Sequence, residues 1–213
     1  MEQKKNYYIA MAGIMGSGKT TVAKLLSREL GFTLFEETVA ENSFLPLFYK
    51  DARRWAFHNQ LFYLHDNVRQ LKTIQEMLQR MSVVQDSLIH DHYFTYTKAQ
   101  LELGHMLPAE FALYEQYVAA IWRDVPIPDL IIQLDASVSV LAERIQKRSR
   151  DFEKEIDTHY LETLSRLQGE WVLAHPHLPI LSVAVDHINL ASGREDQRMF
   201  IGLVRERLGI KMK

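Results

Sequence analysis

Short apolar runs alternate along this chain with longer amphipathic stretches. Tyr7–Ala12, Ser82–Gln85, Leu130–Leu134 and Ile180–Val185 are nearly continuous in apolar residues, the pattern of strands buried on both faces of a parallel sheet. Phe32–Phe35 reads as a fifth, more mixed strand. Between the strands, helices are predicted over Lys19–Leu30, Ala52–Arg80, His92–Leu103, Ala109–Arg123, Val138–Lys147, Thr158–Ala174 and Arg194–Leu208, with Ser137 as a candidate N-cap. In the longest of them, Phe57, Leu61, Leu64, Val68, Leu71, Ile74 and Leu78 recur at spacings of 4, 3, 4, 3, 3 and 4. That stripe is mainly core, and its length makes it a candidate homodimer seam. Strands alternating with helices predict an α/β fold: a doubly wound, five-stranded parallel sheet with helices on both faces. The stretches Phe44–Arg80 and His92–Arg123 read as helical elaborations of it, and no linker or repeat interrupts the chain.

Composition narrows the classes. With 213 residues, the chain fits one domain covering 1–213, since domains average about 150 residues. Apolar residues are 47% and charged residues 24%, which excludes wholesale disorder and fibrous repeats. Lys and Arg number 25 against 27 Asp and Glu, a formal net charge of -2. No global positive field exists to hold a nucleic-acid backbone, so nucleic acid is not an expected partner. The absence of cysteine excludes disulfides, thiolate zinc sites and a cysteine nucleophile, and suits a reducing compartment; a cytoplasmic enzyme is expected. Lys4 and Lys5 before the apolar run Tyr7–Met15, with Ala10-Met11-Ala12, imitate a secretory signal. Cleavage there would remove the strand that the next motif requires, so the run reads as a buried first strand. No other apolar stretch approaches the ~20 residues of a membrane helix, and no membrane association is expected.

The motif is Gly13-Ile14-Met15-Gly16-Ser17-Gly18-Lys19-Thr20, which fits G-x-x-x-x-G-K-[ST] between an apolar strand and an amphipathic helix. Its glycines permit a tight turn in which successive N–H groups face phosphate oxygens. Lys19 places a charge at the β/γ-phosphates, Thr20 offers a hydroxyl to Mg²⁺, and the helix adds its positive end. Gly13, Met15, Gly16, Ser17, Gly18, Lys19, Thr20 and Thr21 are thus the candidate cradle for ATP. Neither a guanine-specifying N-K-x-D nor a transporter L-S-G-G-Q is present, and the small chain favours a small-molecule kinase.

Acidic residues end the neighbouring strands, where doubly wound sheets bind ligands. Glu36 and Glu37 follow the second strand and Asp86 the third. A carboxylate there can take a proton from a substrate hydroxyl or hold Mg²⁺; strand-end acids also serve as turn residues and caps. Arg144 and Arg148 lie one helical turn apart after the fourth strand, with Arg150 just beyond, an arginine-rich lid suited to a transferring phosphoryl group. Gln60 and Asn67 border the apolar stripe of the long helix, where a nucleobase edge or a tertiary hydrogen bond would satisfy an amide. His90-Asp91-His92 suggests metal, but three consecutive residues do not readily face one ion. His175-Pro176-His177 reads as a loop.

Taken together, the motifs resemble the deoxynucleoside kinase family, especially its bacterial deoxyguanosine and deoxyadenosine kinases. Glu36–Asn42 resembles the family's E-E-P-V-x-x-N, Phe48–Asp51 its F-Y-x-D, Trp55–Gln60 its W-x-F-x-x-Q and Arg144–Glu153 its R-I-x-x-R-G-R-x-x-E lid. The resemblance implies Glu37 as general base on a sugar 5′-hydroxyl. It implies Tyr49 and Glu153 on the 3′-hydroxyl, Gln60 on the base and Asp86 at Mg²⁺. Lys19, Arg144, Arg148 and Arg150 would act on the donor phosphates, with Arg144 also near the donor base.

Some positions depart from the pattern. The third strand ends Asp86-Ser87-Leu88 where the family has D-R-S or E-R-S. An ungapped alignment puts His92 where an aspartate often touches the base, and a one-residue gap puts Asp91 there. Asn67 stands where many relatives carry arginine, Thr38 replaces proline, and Ser149 replaces the lid glycine. The expectation is transfer of the ATP γ-phosphoryl group, with Mg²⁺, to a deoxynucleoside 5′-hydroxyl, purines preferred. A thymidine- or thymidylate-kinase-like enzyme and a nucleotide-binding regulator with degraded catalysis are the alternatives.

Overall fold

The structure, a computed structural model, describes residues 5–37, 41–148 and 156–210. Five strands form one all-parallel sheet: β1 (Tyr8–Ala12), β2 (Thr33–Phe35), β3 (Val83–Gln85), β4 (Leu130–Asp135) and β5 (Ile180–Ala184). Their order is β2-β3-β1-β4-β5, so β1 lies in the middle with chain crossovers on both sides. Register places Ala10 between Gln85 of β3 and Ile131 of β4. β1, β3 and β4 are buried almost throughout, as their unbroken apolar runs require. The edge strands β2 and β5 are only partly covered, which accounts for their mixed sequences.

Side chains of β1 alternate between two cores, as a strand's period of two dictates. Ile9 and Met11 pack with residues of α1 (Lys19–Leu30), α7 (Thr158–Ala174) and α8 (Arg194–Leu208). Tyr8, Ala10 and Ala12 face residues of α3 (Ala52–Met77) and α5 (Pro108–Ile121). The doubly wound α/β architecture is therefore present, and α6 (Val138–Arg148) follows β4 as expected.

Three elements differ from the sequence expectation. A short helix α2 (Leu45–Lys50) starts at Leu45-Pro46, where proline's fixed φ suits a first turn; six residues are too few to show a period. α3 ends at Met77 rather than Arg80, and Asp51 caps its start by accepting from the Arg54 N–H at 3.2 Å. The helix expected over His92–Leu103 is instead a π-helical turn, Asp91–Thr97, followed by α4 (Lys98–Glu102). The Thr97 hydroxyl donates to the His92 carbonyl five residues back, at 2.6 Å, within this wide turn. Such turns are rare and concentrate at functional sites.

Candidate active site

Because all strands are parallel, the segments following β1, β2 and β3 converge at one end of the sheet, at the topological switch point. The loop after β1 carries the phosphate motif. Gly13 has φ 136°, and a Cβ there would stand 2.8 Å from both the Leu134 carbonyl and the Ser17 hydroxyl. Gly16 has φ 82°, with the Leu141 carbonyl 2.9 Å from where its Cβ would be. Left-handed backbone and missing space together demand glycine at both. Lys19 folds back over this loop, its Nζ donating to the Gly13 carbonyl at 2.6 Å.

A cavity of about 720 Å³ opens at this end. One wall is the loop and the start of α1, including Met15 through Thr21; Gly13 does not itself line the cavity. Arg144 and Arg148 close that side from α6. Arg144 is fixed there by donating to the carbonyls of Ser17 (3.3 Å) and Val185 (2.6 Å). A second wall carries Glu37, Tyr49, Gln60 and His92, and Asp86 joins the two where it meets Thr20. The candidate residues on the described chain thus converge, except Gly13 and Asn67. Asn67 is buried off the cavity, and its amide nitrogen donates to the Tyr63 carbonyl of its own helix at 3.0 Å. Arg150 and Glu153, like Thr38 and Ser149, lie outside the described residues.

Electrostatics organise the acids. Asp86 accepts from the Thr20 hydroxyl (2.8 Å) and from the Glu37 backbone N–H (2.6 Å). Burial, then the neighbouring Glu37 charge, push its carboxyl up to about 6. Glu37 and Glu36 diverge as adjacent residues of an extended chain should. Glu36 meets Lys24 at 2.9 Å on the surface, whereas Glu37 turns inward and pairs with His92 Nε2 at 3.1 Å. Burial would raise the Glu37 carboxyl, but the His92 hydrogen bond and the charges of His92 and Lys19 outweigh it and hold the group below its ordinary value. Glu37 is therefore an ionised proton acceptor beside the phosphate loop.

Several site residues had little or no signature in the sequence. Asp91 is buried, receives the Gly13 N–H (2.8 Å) and the Gln168 amide (3.1 Å), and so ties the π-turn and α7 to the phosphate loop. Burial pushes its carboxyl up to about 6. Tyr63 stacks on the His92 ring with centroids 5.0 Å apart and planes 16° apart. Asn42 donates to Asn59 at 2.8 Å at the edge of the same wall. Ser87, standing where the resemblance expects arginine, lines the cavity with its buried hydroxyl unpartnered among the described residues. Gln60 is buried on the wall, accepting from the Thr97 hydroxyl at 3.3 Å.

Comparison with known proteins agrees with this geometry. The sequence model of the family described as "Deoxynucleoside kinase" matches residues 9–208. The chain is 32% identical over 207 residues to a deoxyguanosine kinase of Bacillus subtilis (strain 168), covering 93% of this chain and 96% of the relative. It is 30% identical over 188 residues to a deoxyadenosine/deoxycytidine kinase of the same organism, covering 87% of this chain and 86% of that one. Among solved structures, the deoxyadenosine kinase from M. mycoides with bound dATP superposes with a TM-score of 0.78 at 26% identity, over 96% of this chain and 100% of that one.

Proposed function

The chain belongs to the deoxynucleoside kinase family and is a nucleotide-binding phosphotransferase, and we propose that it transfers the γ-phosphoryl group of ATP to the 5′-hydroxyl of a deoxynucleoside, purines preferred, for nucleotide salvage. One observation carries the reading: Glu37 faces the phosphate loop across a single cavity while Glu36 faces solvent. A 5′-hydroxyl is a poor nucleophile until it is aligned and relieved of its proton. Glu37 accepts that proton as the new O–P bond forms. The loop N–H groups, Lys19, Arg144 and Arg148 stabilise charge on the phosphates, and Arg150 joins them from the lid. Tyr49 and Glu153 hold the 3′-hydroxyl, and Gln60 meets the base. The purine preference rests on the activity named for the similar B. subtilis deoxyguanosine kinase and on the deoxyadenosine named, beside deoxycytidine, for the second.

The Thr20 hydroxyl and the Asp86 carboxylate, side by side, suit Mg²⁺, which keeps waters and phosphate oxygens and needs few protein ligands. Bound there, Mg²⁺ supplies positive charge to the donor phosphates. The decisive experiment is an assay of the four deoxynucleosides with ATP and Mg²⁺. Faster phosphorylation of deoxyguanosine or deoxyadenosine supports the proposal. Activity on thymidine alone, a strict need for a monophosphate acceptor, or no turnover with any acceptor would refute it.

A homodimer and a cytoplasmic address belong to the same reading. On α5, Leu113 and Tyr117 are 43% and 52% exposed, and the adjoining stripe of α3 leaves Phe57 and Leu61 only partly covered. A second copy of the chain would bury this surface. Sedimentation should give a dimer; a monomer at every concentration would refute it. Among the described residues no helix is long and apolar enough to cross a membrane, and the chain has no cysteine.

A further inference from the structure

We propose that His92 is the positioning residue of the general base: its Nε2–H holds one oxygen of the Glu37 carboxylate so that the other is presented to the 5′-hydroxyl. The inference rests on the kinase reading above and assigns His92 to the base catalyst rather than to the nucleobase.

The geometry is specific. Glu37 lies two residues beyond the end of β2, and its backbone N–H is anchored on Asp86, but that bond leaves the side-chain torsions unset. The contact that fixes the carboxylate is His92 Nε2 on Oε1 at 3.1 Å. His92 is itself immobilised. Its ring is sandwiched near Tyr63 and Tyr96, with centroids 5.0 and 6.0 Å away, and it is 5% exposed. Its carbonyl receives the Thr97 hydroxyl within the π-turn. Its other ring nitrogen, Nδ1, is buried without a partner among the described residues, so Glu37 is the one polar group this imidazole is seen to serve.

Asp91, Lys19, Arg144 and Ser87 do not supply the same donor. Asp91 is an acceptor engaged by Gly13 and Gln168. Lys19 rests on the carbonyls of Gly13 and Ile14, and Arg144 on those of Ser17 and Val185. Ser87 has a short side chain whose hydroxyl has no hydrogen-bond partner among the described residues. The π-turn explains how consecutive residues can both reach the site: its wider pitch turns Asp91 to the loop and His92 to the base. The chemistry balances with the His92 Nε2–H proton staying in place. The 5′ O–H proton passes to the second Glu37 oxygen, the O–P bond forms, the bond between the γ-phosphorus and its bridging oxygen breaks, and ADP leaves.

The test compares two variants of the full chain. His92→Phe keeps a ring against Tyr63 and removes the donor; His92→Gln keeps an N–H donor. For His92→Phe, kcat should fall roughly 10²-fold, the effect of a misplaced reacting group, with KM for ATP and for the deoxynucleoside little changed. His92→Gln should recover much of that loss. In a Glu37→Gln background, His92→Phe should add almost nothing, because the group it positions is gone. If His92→Phe does not fold, His92→Met fills the slot without a donor and makes the same comparison. Three results would overturn the inference: unchanged kcat, equal losses in the Gln and Phe variants, or a raised deoxynucleoside KM with altered base preference at constant kcat. Absence of kinase activity in the unsubstituted protein would instead overturn the kinase reading itself.

Discussion

Asp91 and His92 turn towards the cavity, where Asp91 meets the Gly13 and Gln168 N–H groups and His92 meets Glu37, whereas His90, one residue earlier, sinks among Phe94, Trp122 and Trp171. There the His90 Nδ1 and the Trp171 Nε1 are buried with no partner among the described residues. The two neighbourhoods are equally buried and treat polarity in opposite ways. At the cavity, charge is retained because each carboxylate has donors, and it is available for chemistry. In the aromatic cluster no counter-charge is supplied, and burial, reinforced by the charge of His175, pushes His90 down to about 4. His90 is therefore a neutral packing residue at pH 7, and the contrast separates groups proposed to set rate from a group that sets stability.

The largest expected effect breaks the paired side. Lys19→Ala removes the charge aimed at the transferring phosphoryl group, and kcat should fall by about 10³-fold. Its contacts in the fold are hydrogen bonds to loop carbonyls and the attraction of its charge for Glu37, so unfolding free energy should change by about 1–3 kcal/mol. Steady-state kinetics beside denaturant melts check both halves; near-normal kcat would remove the phosphate-loop assignment.

A smaller effect tests the unpaired side. His90 titrates near 6.5 when unfolded and at about 4 when folded, so the unfolded chain binds the extra proton between those values. Its contribution to stability is complete above pH 6.5 and is lost as pH falls towards 4, in total about 3 kcal/mol. Asp86 and Asp91, both raised to about 6, act in the opposite sense: their contribution is present at low pH and is lost as pH rises through 6. A difference measurement cancels them. The stability of His90→Phe relative to the unsubstituted protein should rise by about 3 kcal/mol between pH 7 and pH 4, with kcat at pH 7 little changed. Parallel stability–pH curves would show that His90 is not held neutral by its cluster.

The same contrast explains what could be read from the chain. The donor side lies in a contiguous segment, Gly13–Thr21, so its glycines and lysine are visible as a motif, and buried strands such as Leu130–Asp135 announce themselves as unbroken apolar runs. The acceptor side is assembled across long separations: Glu37 and His92 come from the segment after β2 and from the π-turn, and Tyr63 from α3. Apolar periodicity does not mark a π-turn, because one wide turn has no repeat to count. It also leaves Asn67 undecided between base and fold: the residue borders the helical stripe, its amide nitrogen donates to the Tyr63 carbonyl of its own helix, and its Oδ1 is buried without a partner among the described residues. Asp91, brought forward only by a one-residue gap, turned out to brace the phosphate loop.

The central claim is that Glu37, and not its neighbour, takes the proton of the acceptor hydroxyl. Glu37→Gln keeps the shape and loses the proton acceptor, so kcat for the preferred deoxynucleoside should fall about 10²–10⁴-fold with ATP binding nearly intact. Glu36→Gln removes a surface ion pair with Lys24 and should be far milder. Measured side by side, equal losses, or a crippled Glu36→Gln with an active Glu37→Gln, would contradict the account.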